Sequence, residues 1–164
     1  MNPITLEDIQ QNETIKTYIV RADETLIALG YTEHAFAHVT KTAYEAYSLL
    51  LKLGYDERTA ELARIAGYLH DIGNMVNRVD HAQSGALIAF QLLTGLGMPP
   101  QEIATIVTAI GHPDEATAAP VNPVAAALIL ADKCDVRRSR VRNRDVSSFD
   151  IHDRVNYSVV RSEM

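Results

Sequence analysis

Along most of the chain apolar residues recur every three or four positions, and few stretches alternate with a period of two, so the pattern predicts helices rather than strands. Thr5 with Asp8, or Asn12 further on, can start the first helices, whose apolar positions are Ile15, Ile19, Leu26 and Leu29; Gly30 stops them. A second run from Glu33 to Leu53 places Phe36, Val39, Ala43, Ala46, Tyr47, Leu50 and Leu53 on one stripe and ends at Gly54. Asp56 is positioned to cap a helix through Thr59, Leu62, Ile65, Ala66 and Leu69 to His70 and Asp71. Gly73-Asn74 signals a turn, followed by a polar loop to Asp80. His81 to Leu96 forms a further helix. Pro99 and Pro100 open another through Ile103, Ile106, Val107 and Ile110. Gly111 to Pro123 is loop. Val124 to about Arg138 is an apolar, alanine-rich helix, and Phe149 to Val160 is a last short helix or strand in a polar tail. The expectation is a single all-α domain over 1–164, a compact bundle of about six to eight helices.

Composition narrows the class. At 164 residues, with 47% hydrophobic and 22% charged side chains, the chain can bury a core without staples. The single cysteine, Cys134, permits no intrachain disulfide and no cysteine-rich zinc site. The first residues lack the basic start and apolar block of a signal peptide, and no stretch approaches the roughly 20 apolar residues of a membrane span. A cytoplasmic protein without a membrane partner is the expectation. A net charge of −6 and the absence of tryptophan argue against general nucleic-acid binding or a base-stacking platform. The charge is uneven, however. Between Lys133 and Arg144 lie six cations (Lys133, Arg137, Arg138, Arg140, Arg142, Arg144) and one acid, Asp135. A basic stretch on an acidic chain suits a phosphate-bearing ligand, and equally suits a solvated helix end.

Six histidines, His34, His38, His70, His81, His112 and His152, carry the chemical interest. Five lie in or at the ends of apolar helices, where an imidazole needs a partner. His70 is followed directly by Asp71, and Asp132 interrupts the run Ala125–Ala131, where a carboxylate is costly to bury unless paired or metal-bound. Imidazole and carboxylate without thiolate suit Fe, Mn, Co, Ni or Zn. Each residue also has a structural alternative: a core hydrogen bond for His34 or His38, an ion pair for Asp132, and a surface position for His152.

The order His38 … His70-Asp71 … Asp132 resembles the H…HD…D signature of the HD-domain metal-dependent phosphohydrolase superfamily. The surroundings agree. His38–Gly54 resembles the helix of the first histidine, Ala63–Gly73 the "A-x-L-x-H-D-I-G" segment, and Leu128–Asp135 the "L-x-x-A-D" helix. The resemblance spans about Tyr31 to Arg144, with 1–30 as an N-terminal helical segment, 31–144 as the HD core and 145–164 as a C-terminal tail.

The resemblance implies an HD-domain helical bundle in which His38, His70, Asp71 and Asp132 hold metal. His81, in "H-x-x-x-G", and His112, in Gly111-His112-Pro113, resemble the additional ligands of the two-metal branch, which includes HD-GYP cyclic-dinucleotide phosphodiesterases and small diadenosine tetraphosphate hydrolases. Pro113 stands where that branch has a second histidine, Asn74 where HD-GYP proteins carry lysine, and no Gly-Tyr-Pro follows His112. The implied cofactor is therefore divalent metal, two ions in preference to one, drawn from Fe, Mn, Ni, Co or Zn. The implied function is hydrolysis of a phosphomonoester, nucleotide or dinucleotide by metal-activated water. Asp71, His34 and Lys133 are the candidate catalytic residues. Arg137, Arg140 and Arg138, expected one to two helical turns beyond Asp132, are the candidate substrate-binding residues, and Asp135 is expected to orient an arginine. The rival readings are a catalytically silent HD-domain module that senses or binds a nucleotide, and a di-iron HD oxygenase. The apolar end Asn156–Val160 suits a strand, a further extension or a dimer contact, and a homodimer is one further expectation.

Overall fold

The computed structural model describes residues 3–32, 35–112 and 120–162, and among them every regular element is helical. In chain order these are α1 (Leu6–Gln11), α2 (Glu13–Ala28), α3 (Phe36–Lys52), α4 (Glu57–Leu69), α5 (His81–Gly95), α6 (Pro100–Gly111), α7 (Pro123–Cys134) and α8 (Ile151–Ser158). Short 3₁₀ turns cover Ile72–Met75, Arg138–Arg140 and Val146–Ser148. The helices start where side chains can satisfy their first amides. Asn12 accepts from the Ile15 amide, Asp56 from Thr59, Asn122 from Ala125 and Asp150 from Asp153.

Helix α4 is the axis of the bundle. Nine of its thirteen residues are buried, and it packs against α3, α6 and α7. Its stripe Ile65, Ala66 and Leu69 meets Val39, Ala43 and Leu50 of α3, Ile106 and Ile110 of α6 and Leu128 of α7 in one core. The apolar stripe read for α3 is the buried one at Val39, Ala43, Ala46 and Leu50, whereas Phe36 and Leu53 are exposed at its ends. Arg58 joins α4 to α6 by a bidentate pair with Glu102, and Glu61 accepts the Leu6 amide to hold α1 against α4.

Two glycines set the distances that matter most. At Gly67 an added Cβ would lie 2.8 Å from Ala43 Cα, so only glycine lets α3 and α4 approach this closely. At Gly73 it would overlap the His81 carbonyl and lie 2.5 Å from the Gly85 amide, so the turn after His70-Asp71 sits directly on the first turn of α5.

The boundaries differ from the sequence reading at one consequential place. Helix α7 ends at Cys134, where the Asp135 amide closes on Asp132 O, and does not continue to Arg138. Arg137, Arg138 and Arg140 therefore stand on a loop and a 3₁₀ turn rather than on the helix that carries Asp132. The ambiguous tail segment is the helix α8.

Candidate metal centre

The centre is assembled from helix ends. His38 lies in the first turn of α3, His70 and Asp71 at the C-terminus of α4, and Asp132 in the last turn of α7. The close α3–α4 contact at Gly67 brings His38 Nε2 to 3.3 Å from His70 Nε2. Asp132 Oδ1 stands 3.2 Å from His38 Nε2 and 3.5 Å from His70 Nε2. Asp71 Oδ2 stands 3.5 Å and 3.4 Å from the same two nitrogens. Four donor groups from residues distant in sequence thus face a common position.

The hydrogen bonds behind the imidazoles decide which nitrogen faces inward. His38 Nδ1–H donates to Asp135 Oδ2 at 2.8 Å, and His70 Nδ1–H donates to the Gly67 carbonyl at 2.8 Å. An acceptor at each Nδ1 holds a proton there and turns each Nε2 inward, where the neutral ring has a lone pair. Without an ion a proton on His70 Nε2 satisfies the 3.3 Å contact with His38 Nε2, and a divalent ion that displaces it would meet both nitrogens and the flanking carboxylate oxygens. For metal–ligand bonds of about 2.0–2.1 Å, neighbouring ligand atoms stand about 2.8–3.0 Å apart in octahedral and about 3.3–3.4 Å apart in tetrahedral arrangements. The observed 3.2–3.5 Å separations lie around the tetrahedral value. The donor set and its spacing therefore fit a divalent ion, with His38, His70 and Asp132 as the tightest group among the described residues. Asp135 is the outer partner that orients His38.

Charge follows this arrangement. Burial disfavours the His70 imidazolium, yet Asp71 and Asp132 outweigh it and lift His70 to about 9. Burial likewise opposes ionisation of Asp132, but the two imidazoles hold its carboxyl well below the usual range. Burial raises Asp135, and its bonds from His38 and Arg137 bring it back to about 2. The pocket keeps Asp132 and Asp135 ionised and draws positive charge.

The remaining sequence candidates fall outside the quartet. His81 Nε2 is 3.8 Å from Asp71 Oδ1, on the rim, and burial lowers its pKa. His112 ends α6 with Nδ1–H donating to the Thr108 carbonyl, and belongs to no tight cluster among the described residues. His34 lies outside the described residues. A cavity of about 540 Å³ opens beside Asp132, and Lys133 and Arg140 line it. Arg137 bonds Asp135 and Ser139, and Arg138 bonds the Tyr157 carbonyl and covers the Tyr157 ring; neither lines the cavity. Of the three arginines expected to bind substrate, Arg140 lines this cavity, and the early end of α7 places Arg137 and Arg138 outside its lining. Asp135 does orient an arginine, as expected, and also holds His38, as was not.

Two cavity residues escaped the sequence reading. Arg78 lies in the polar loop before α5, without periodicity to mark it, and lines the cavity with its guanidinium over the Tyr31 ring. His152, read as a surface residue, is exposed but stands on the α8 wall of the cavity.

Comparison with known proteins agrees with this centre. The HD domain family model matches residues 35–137, more than half of the chain. The fold is similar to the crystal structure of a predicted HD superfamily hydrolase from an uncultured Thermotogales bacterium, with 23% identity and a TM-score of 0.56 over 82% of this chain and 75% of that one. No curated protein matches. The chain belongs to the HD domain family.

Proposed function

We propose that this HD-domain protein is a metal-dependent phosphohydrolase acting on a phosphorylated small molecule, a phosphomonoester or nucleotide. The observation that carries the reading is the quartet of His38, His70, Asp71 and Asp132 with ligand-like spacing, beside a cavity lined by both acids and the cations Arg78, Lys133 and Arg140. A divalent ion held there supplies Lewis acidity toward a phosphoryl oxygen and lowers the pKa of water.

The chain's own residues do the rest. Asp135 and the Gly67 carbonyl keep the Nδ1 protons of His38 and His70 in place, so both Nε2 atoms present lone pairs. Arg78, Lys133 and Arg140 line the cavity together with Asp132, Asp135, Asp150 and Asp153, and these three cations are the groups there that can meet phosphate oxygens. His152, on the α8 wall of the same cavity, is the candidate to protonate a leaving oxygen. A volume of about 540 Å³ suits a nucleotide-sized ligand.

The test is release of phosphate from a panel of phosphomonoesters and nucleotides in the presence of Mn²⁺, Fe²⁺ or Co²⁺. Wild type turns over at least one of them, and Asp71→Ala loses both the ion, by elemental analysis, and the activity. Tight nucleotide binding without turnover by the ion-loaded wild type would instead identify a sensing module.

A further inference from the structure

A second ion beside the first would need donor atoms on the rim, and two of those atoms already accept hydrogen bonds from nitrogen. Asp71 turns Oδ2 toward the His38 and His70 nitrogens and Oδ1 toward His81. That Oδ1 accepts from Asn74 Nδ2 at 3.0 Å. Asn74 Nδ2 also donates to the Asp71 carbonyl at 2.9 Å, and Asn74 is fully buried. Its amide orientation is unambiguous, because Nδ2 meets only acceptors while Oδ1 meets the Arg78 guanidinium at 3.3 Å. His81 is engaged at both ring nitrogens. Nδ1–H donates to the Arg78 carbonyl at 3.0 Å, and Arg78 Nη1 stands 3.3 Å from Nε2. The guanidinium is a donor only and does not give up its proton, so it claims the Nε2 lone pair that a metal would need. The Tyr31 ring holds it from the other side at 5.3 Å.

We propose that the centre takes a single divalent ion, at His38, His70, Asp71 and Asp132, and that the guanidinium of Arg78 occupies the place of a second one, as a fixed cation between His81 and the cavity. Arg78 is then a specificity-determining residue. It gives a phosphate group in the cavity a planar, bidentate partner, while Asn74 couples its position to Asp71. The proposal rests on the metal-centre reading above.

The experiment counts ions. Protein loaded anaerobically with Mn²⁺ alone, freed of excess and measured by elemental analysis and electron paramagnetic resonance should hold one ion per chain, with the signal of an isolated Mn²⁺. His81→Ala should leave count and signal unchanged. Arg78→Ala should gain a second ion and an exchange-coupled signal, and the double variant Arg78→Ala/His81→Ala should return to one. Two ions in wild type, falling to one in His81→Ala, would overturn the proposal and leave the metal centre intact. An unchanged count of one in Arg78→Ala, with its melting curve intact, would overturn the role given to Arg78. No ion in wild type would overturn the metal centre and this proposal with it.

Discussion

Helices α4 and α7 both end by delivering a carboxylate to the centre, yet the two ends are held differently. The α4 end is fixed by backbone. Gly67 admits α3, Gly73 seats the following turn on α5, and the Gly67 carbonyl orients His70. The α7 end is fixed by side chains. Asp135 accepts from His38 and Arg137, and Arg140 reaches back to the Asp135 carbonyl at 2.6 Å. Backbone contacts leave no room for adjustment, whereas charged side chains can re-form around a neighbour. The first end therefore bears on whether the bundle closes, and the second on how tightly it grips an ion.

Substitution at the two ends should separate those roles. Gly73→Ala should be the most damaging, because its Cβ overlaps α5 backbone; about 3 kcal/mol of stability should be lost, roughly 6–12 °C in melting temperature, read by thermal denaturation. Gly67→Ala should follow closely, since Ala43 must move. Asp135→Asn should leave melting of the ion-free protein nearly unchanged but weaken ion affinity about 10- to 100-fold in a competition titration. A large melting shift there, with affinity intact, would erase the distinction between the ends. Arg137→Ala removes one of three partners of Asp135, leaving His38 and Arg140, and should weaken affinity only about two- to threefold.

A pH titration sharpens the same contrast. His70 has a folded value of about 9, above the ordinary 6.5, so the stability it gives the ion-free protein is complete below pH 6.5 and is lost as pH rises through 9. An ion must displace that proton, so ion affinity should rise over the same interval. Melting of chelated and loaded samples between pH 6 and 9.5 should show the two curves diverging with increasing pH.

Much of this was legible in the chain. Caps at Asn12 and Asp56 and the stops at Gly30 and Gly54 place helices because local chemistry decides them. The quartet was legible through the resemblance of its segments to the H…HD…D signature; a polar group in an apolar helix, taken alone, left a core hydrogen bond or an ion pair equally open. The end of α7 was not, since arginines are good helix formers and only the tertiary demand of His38 on Asp135 breaks the run. Arg78 was invisible for a related reason. It sits in a loop whose pattern carries no period, and its importance arises from Tyr31, Asn74 and His81 converging on it in space.

The four ligands are not equally deep. The side chains of His38, His70 and Asp71 are 0%, 3% and 6% exposed, while that of Asp132 is 29% exposed. The vestibule therefore has one threshold, and traffic crosses it past Asp132. Residence time should be governed by that single carboxylate swinging aside, so a chelator in large excess would strip the protein at a rate independent of its own concentration. Replacing Asp132 by Asn, which removes the charge, or by Ala, which removes the carboxylate, would speed escape far more than the change in equilibrium grip alone would require.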